Sequence, residues 1–185
     1  MKKQPQVTEQ TKANLRDAFW QLYTQKPLDK ISVREITDLA GYNRGTFYLY
    51  YRDIYDIFSQ IEDELLEKIQ TALTDSTQQS DVFDLSAHMG IFLELMQTHS
   101  KYASVLLSDH GDPHFASRLK ELLLPFLNRY FLPTGKMNAY EQELLSEFYL
   151  AGLLAAIIRW NRDPQMRLDE FILFIVSNVF GDSYT

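Results

Sequence analysis

The chain has 185 residues, 45 % of them apolar, enough for one or two small domains with a real core. It contains no cysteine, which excludes disulfides and cysteine-based metal or redox chemistry and fits a reducing cytoplasm. The formal net charge of −7 is unevenly spread, with 9 Lys and Arg against 5 Asp and Glu in residues 1–52, and 9 against 20 in residues 53–185. A basic head of +4 on an acidic body of −11 confines the footprint for an anionic partner to the first quarter of the chain.

Taken in chain order, the pattern is helical throughout. The opening MKKQPQVTEQ has two lysines with no apolar stretch behind them, so no signal peptide is expected. Leu15, Ala18, Phe19 and Leu22 then form one apolar stripe on a helix over about 8–25, which Lys26-Pro27 ends. Ser32-Val33-Arg34-Glu35 is a capping-box pattern opening a second helix, whose buried face should include Val33, Ile36 and Ala40. Gly41 suits the left-handed position after that helix. Asn43 is an N-cap for a third helix from Arg44 to about Tyr51, and Asp53 for a fourth over about 54–76. After the polar break TDSTQQSD, further helices are expected at about 82–98, 101–109, 113–131, 139–162 and 167–181, with turns at Gly111-Asp112-Pro113, Pro133-Thr134-Gly135 and Asp163-Pro164. That is about nine helices in an all-α fold. The expected domains are 1–53 for the head and 54–185 for the body.

The stretch ISVREITDLAGYNRGTFYLYY, Ile31 to Tyr51, carries the chemistry. A helix, a glycine turn and a short second helix make the shape of a DNA-reading helix-turn-helix. Phe47 and Tyr51, four apart, can form the buried side, leaving Arg44, Thr46 and Tyr48 outward with Gly45 between them. Arg44 has the planar fork that holds a guanine edge, and Thr46 suits a thymine methyl or a phosphate. Tyr48 and Tyr50 suit phosphates, and Arg34 lies where it can reach base or backbone. Ser32, Asn43 and Gly45 complete the candidate DNA-binding set. Spacing alone leaves a second reading open, because helix–glycine–helix units with aromatic clusters also occur in bundles that never touch DNA.

Residues 8–55 resemble the N-terminal domain of tetracycline-repressor-like (TetR-family) transcription regulators. The run Gly41-Tyr42-Asn43-Arg44-Gly45-Thr46-Phe47-Tyr48 is close to that family's G-V-S-x-G-T-hydrophobic-Y. The resemblance implies that the third helix reads an operator, that Tyr48 contacts phosphate and that Arg34 reaches a base. Two positions depart from the pattern. Tyr50 stands where the family has histidine, and Ile54 where it has a phosphate-binding lysine, for which Arg52 and the amides at that helix start could compensate.

The body supports a homodimer on its own terms. From Phe148 to Ile158 the sequence FYLAGLLAAII is apolar all round, so burial on more than one side is expected. Ala151, Gly152, Ala155 and Ala156 make a small-residue strip, and Phe171, Ile172, Phe174, Ile175, Val176, Val179 and Phe180 add a second apolar helix. A four-helix interface between the last two helices of each protomer would cover both. The resemblance also implies a small-molecule effector of unknown identity in the body; candidate pocket residues are Phe92, Met96, Tyr102, Phe126, Tyr130, Tyr149 and Trp160. The run His99-Ser100-Lys101-Tyr102, Leu106-Leu107-Ser108-Asp109, Gly111-Asp112-Pro113, Phe115 and Trp160 resembles the branch that regulates dihydroxyacetone kinase operons, some members of which work through a partner protein.

Other chemistries find no support in the residues. His110, Asp112 and His114 match no established metal spacing, and their glycine and proline neighbours mark a turn. His88 and His99 lie on amphipathic stretches, and Glu62-Asp63-Glu64 is most simply an exposed helix face. There is no phosphate loop, nucleophile elbow or paired-carboxylate arrangement, so neither an enzyme nor a cofactor is expected. The longest apolar run falls short of the roughly 20 residues that span a bilayer, so no membrane partner is expected. The expected protein is a cytoplasmic, homodimeric regulator on a palindromic double-stranded DNA operator, a repressor with two heads about 34–36 Å apart. The alternative is a co-regulator of the same fold that acts through a protein partner with weakened DNA contacts.

Overall fold

The computed structural model describes residues 5–78, 102, 105–108, 111–130, 137–175 and 177–178. These residues form seven α-helices and one 3-10 turn, with no strand among them: α1 (Pro5–Tyr23), α2 (Val33–Ala40), α3 (Arg44–Tyr48), α4 (Ile54–Gln78), α5 (Pro113–Tyr130), α6 (Ala139–Arg162) and α7 (Leu168–Ile175), the 3-10 turn being Leu28–Lys30. The all-α class therefore holds and the count of about nine is corrected to seven among the described residues. The expected helix at 82–98 lies outside them, and 101–109 is described only at residues 102 and 105–108. The chain divides into two compact units, Met1–Glu64 and Leu65–Thr185, a division that falls within α4.

In the first unit, α1 packs on α2 and α2 on α3. The apolar stripe of α1 does what its spacing requires: Leu15, Ala18 and Phe19 are buried, joined by Trp20. Phe19 and Tyr23 lie against Phe58 of α4, with ring centroids 6.0 and 5.0 Å away. Polar ties run from the same helix. Asn14 Nδ2 donates to the Tyr42 hydroxyl in the α2–α3 turn (3.0 Å), and Arg16 Nε donates to the Tyr51 hydroxyl (3.1 Å) while its guanidinium pairs with Glu64. Glu64 is thus not part of a plain exposed face, and neighbouring Glu62 is only 4 % exposed. On α4 both follow the phase of the buried Ile57, Phe58 and Ile61, which sequence spacing treated as apolar positions only.

In the second unit, α5 and α6 pack together around Leu127 and Leu150, with Leu123, Leu145 and Tyr149 against them. Ser146 Oγ, buried on α6, lies 2.8 Å from Asn128 Oδ1, and Lys120 pairs with Glu147 at 2.7 Å. The turn before α5 needs Gly111, because a Cβ there would stand 1.9 Å from the Leu106 carbonyl oxygen. Asp112 accepts from the His114 amide at 2.8 Å and caps the helix that Pro113 begins. Asn138 and Glu141 form a capping box at the start of α6. At its far end, Trp160 Nε1 donates to the Met166 carbonyl (2.9 Å) and its ring stacks on Phe171 of α7 at 5.2 Å.

The stretch expected to be buried on several sides is covered on one only. Leu150 and Leu154 are buried, while Phe148 is 72 % exposed and Ala151, Gly152 and Ala155 are exposed too. Together with Tyr140 and Leu144 they recur at helical spacing, so one face of α6 is an exposed apolar strip among the described residues.

Phe47 is fully buried in the first unit. Phe47→Ala is expected to lower the unfolding free energy by about 3–5 kcal/mol, read as an earlier urea midpoint in far-ultraviolet circular dichroism.

Candidate nucleic-acid interface

Local chemistry builds the helix-turn-helix from both ends. Ser32 accepts from the Glu35 amide (3.3 Å) while the Ser32 amide donates to Glu35 Oε2 (3.0 Å), completing the capping box. Gly41 takes φ 73°, a left-handed conformation open to glycine at little cost, and both its amide and that of Tyr42 return to the Thr37 carbonyl. On α2 the deeply buried residues are Ile36 and Thr37; Val33 and Ala40 are only half-buried. Thr37 reaches the core because its hydroxyl is satisfied by the Val33 and Arg34 carbonyls, both at 3.0 Å.

Asn43 Oδ1 accepts from the Thr46 amide at 2.9 Å and opens α3. That helix is five residues long, shorter than the expected run to Tyr51, yet the Tyr51 amide still bonds the Phe47 carbonyl at 3.0 Å and keeps helical phase. Phe47 and Tyr51 are both buried, their rings 5.4 Å apart, which fixes the rotation of the segment. Burial pushes the Tyr51 phenol up, with the Arg16 guanidinium opposing that shift.

The candidate residues separate into two groups under this geometry. Arg34, Arg44, Gly45 and Tyr48 are exposed, Tyr48 by 58 %. Arg34 shares an exposed ion pair with Asp38 at 3.5 Å. Ser32, Asn43 and Thr46 are engaged in capping, the Thr46 hydroxyl donating to Asn43 Oδ1 at 3.2 Å, and Tyr50 is half-buried. Gly45 has a structural reason besides access, since a Cβ there would stand 3.1 Å from Asn43 Oδ1, the capping atom. One residue the sequence reading passed over is Leu49, 62 % exposed directly after α3. Its signal was available: it lies two residues from Phe47, so it must point the other way.

Carboxylates close the start of α4. Asp53 Oδ1 accepts from the amides of Tyr55 and Asp56, both at 2.9 Å, so those amides are not available to a phosphate. Arg52 is drawn to Asp56, its amide donating at 2.7 Å and its guanidinium at 3.2 Å. Of the groups suggested to compensate for Ile54, two amides are capped by Asp53, while the Arg52 side chain pairs with Asp56 and stays 87 % exposed. The Arg52 amide holds the Asp56 carboxyl below the usual range, with its guanidinium adding to this. Hydrogen bonds from Lys26 and Ser32 do the same for Glu35.

Of the pocket candidates, Phe92 and Met96 lie outside the described residues, and only the backbone of Tyr130 is described. Tyr102, Phe126, Tyr149 and Trp160 are half-buried, Tyr149 in the α5–α6 seam and Trp160 at the turn into α7. His88, His99 and His110 also lie outside the described residues; His114 is exposed. Among the described residues no group of three His, Asp or Glu is placed to hold a metal ion, and no described helix is long and apolar enough to cross a membrane.

A short capped helix, clamped by a buried aromatic pair within the net-basic residues 1–52 and followed by a separate helical body, defines a helix-turn-helix transcription regulator. The chain belongs to the TetR family: residues 15–61 match the bacterial regulatory proteins of the tetR family, and residues 84–180 match the family described as a transcriptional regulator C-terminal region. It is similar to an uncharacterized HTH-type transcriptional regulator, YxbF, of Bacillus subtilis (strain 168), 25 % identical over 105 residues. That match spans 55 % of this chain and 28 % of the relative. Among solved structures, a TetR transcriptional regulator from Streptococcus agalactiae 2603V superposes with a TM-score of 0.66 at 23 % identity, covering 95 % of this chain and 96 % of that one. The fatty acid degradation regulator FadR from Bacillus halodurans gives 0.64 at 17 % identity, covering 99 % and 98 %. At these identities both establish the shared fold alone.

The pH response of the first unit follows from Glu35 and Asp56. Their folded pKa values are depressed, so their contribution is complete above the unfolded carboxylate range and is lost as pH falls through the lower folded values. Melting temperature is expected to hold from pH 7 to about 5 and to fall below about 4, and Glu35→Gln should make that acid decline shallower.

Proposed function

We propose that this TetR-family regulator is a cytoplasmic, homodimeric repressor that binds a palindromic DNA operator through α3. The supporting observation is the outward set Arg44, Gly45 and Tyr48 on a helix whose opposite side is locked by Phe47 and Tyr51, all on the basic head. Arg44 reads a base edge and Tyr48 sets register on phosphate. A small molecule bound in the body lowers operator affinity by favouring a conformation that does not fit DNA. The apolar and aromatic positions Phe92, Met96, Tyr102, Phe126, Tyr130, Tyr149 and Trp160 are the residues we assign to that pocket. The likeness of the C-terminal half to regulators of dihydroxyacetone kinase operons rests on its His99–Trp160 sequence pattern and belongs to the same reading.

The dimer reading is supported by the bare strip on α6, where Tyr140, Leu144 and Phe148 flank exposed Ala151, Gly152 and Ala155, and by exposed Leu173 and Phe174 on α7. An apolar strip of this length is covered by a second copy in our reading. The co-regulator alternative draws on the carboxylates at the start of α4, but exposed Arg44 and Tyr48 favour direct DNA binding.

Arg44→Ala is expected to cost about 1–3 kcal/mol of operator affinity and to relax preference at one position per half-site. Tyr48→Phe should cost about 1 kcal/mol uniformly across sequences. Gel shifts at fixed salt measure both; unchanged binding in both variants refutes the α3 assignment. Phe148→Glu is expected to yield monomers in sedimentation velocity with helicity unchanged.

A further inference from the structure

Resting on the DNA-binding reading, and going beyond it, we propose that Leu49 reads a thymine in the major groove through the C5-methyl group.

The geometry is set by Phe47. At about 100° per residue, positions two before and two after a buried residue stand nearly opposite it. These are Gly45 and Leu49, one turn apart, and the bond from the Tyr51 amide to the Phe47 carbonyl shows that helical phase extends across Leu49. Leu49 itself has φ −74° and ψ −20°. It therefore occupies the middle of the outward face, with the exposed Gly45 bearing no side chain one turn before it. Arg44 and Tyr48, both exposed, flank this line, and Arg34 is exposed on α2. A large apolar side chain at the centre of a polar, cationic face gains nothing from water and serves no core.

The one methyl group in the major groove is that of thymine; the other groups that identify a base there donate or accept hydrogen bonds. A leucine against guanine, cytosine or adenine would leave such groups desolvated without partners, and against thymine it would bury a methyl. Leu49 thus selects by attraction to one base and by rejection of the others. Thr46 is less suited to this role, being half-buried with its hydroxyl tied to Asn43.

The test uses duplexes that the full-length protein selects from a random pool, with each thymine of the selected site replaced in turn by deoxyuridine, which lacks only the methyl. Wild-type protein is expected to lose about fourfold in affinity at one thymine per half-site. Leu49→Ala should bind the parent duplex more weakly, bind thymine and uracil equally at that place, and melt at the wild-type temperature. A site that wild-type protein selects, but whose uracil effects are absent or persist in Leu49→Ala, overturns the role of Leu49 and leaves DNA binding standing. Enrichment of no sequence at all overturns both.

Discussion

The burial of Phe47 on a very short helix and of Tyr51 one turn on, just past its end, is the constraint on which the head depends. A five-residue helix has no stability of its own, since nucleation is unfavourable and few hydrogen bonds follow. It exists because these two rings enter the core and because Asn43 closes its first turn. Arg16 secures the arrangement from outside the turn by reaching both the Tyr51 hydroxyl and Glu64. With the inward pair fixed, the outward residues have no freedom of phase. The exposed face of α3 is therefore set by core packing.

Electrostatics adds a second layer. The whole-chain charge of −7 disguises a net +4 over residues 1–52, and the carboxylates in and just after that stretch are bound into local structure. Glu35 closes the capping box and pairs with Lys26, while Asp53 and Asp56 close the start of α4. These acids strengthen helix termini at the very edge where a family member would hold phosphate with lysine. Helix capping at the start of α4 thus engages two amides and the Arg52 side chain with carboxylates.

The parts legible in the sequence were those governed by near neighbours. The capping box at Ser32 and Glu35, the left-handed Gly41, the Asn43 cap and the Phe47–Tyr51 pair all follow from spacings of one helical turn, and all are observed. What escaped reading depends on partners distant in sequence. Nothing near Arg16 announces Glu64, and Glu62 reads as solvent-facing until the packing of α4 is known. Leu49 was missed for a different reason: an apolar residue beside aromatic ones reads as core, though its angular position says otherwise. The bare strip on α6 was read correctly as apolar, but only the folded protomer separates the side covered by α5 from the side left open.

One consequence of the α3 geometry concerns how such a protein changes over time. The residues that hold the helix, Asn43, Phe47 and Tyr51, and those that face outward, Arg44, Tyr48 and Leu49, are disjoint sets. Substitutions in the second set leave the core and caps intact and are close to neutral for folding. The outward surface can therefore drift through many combinations without passing through an unfolded intermediate, which lets duplicated copies diverge in preference while inheriting the same scaffold.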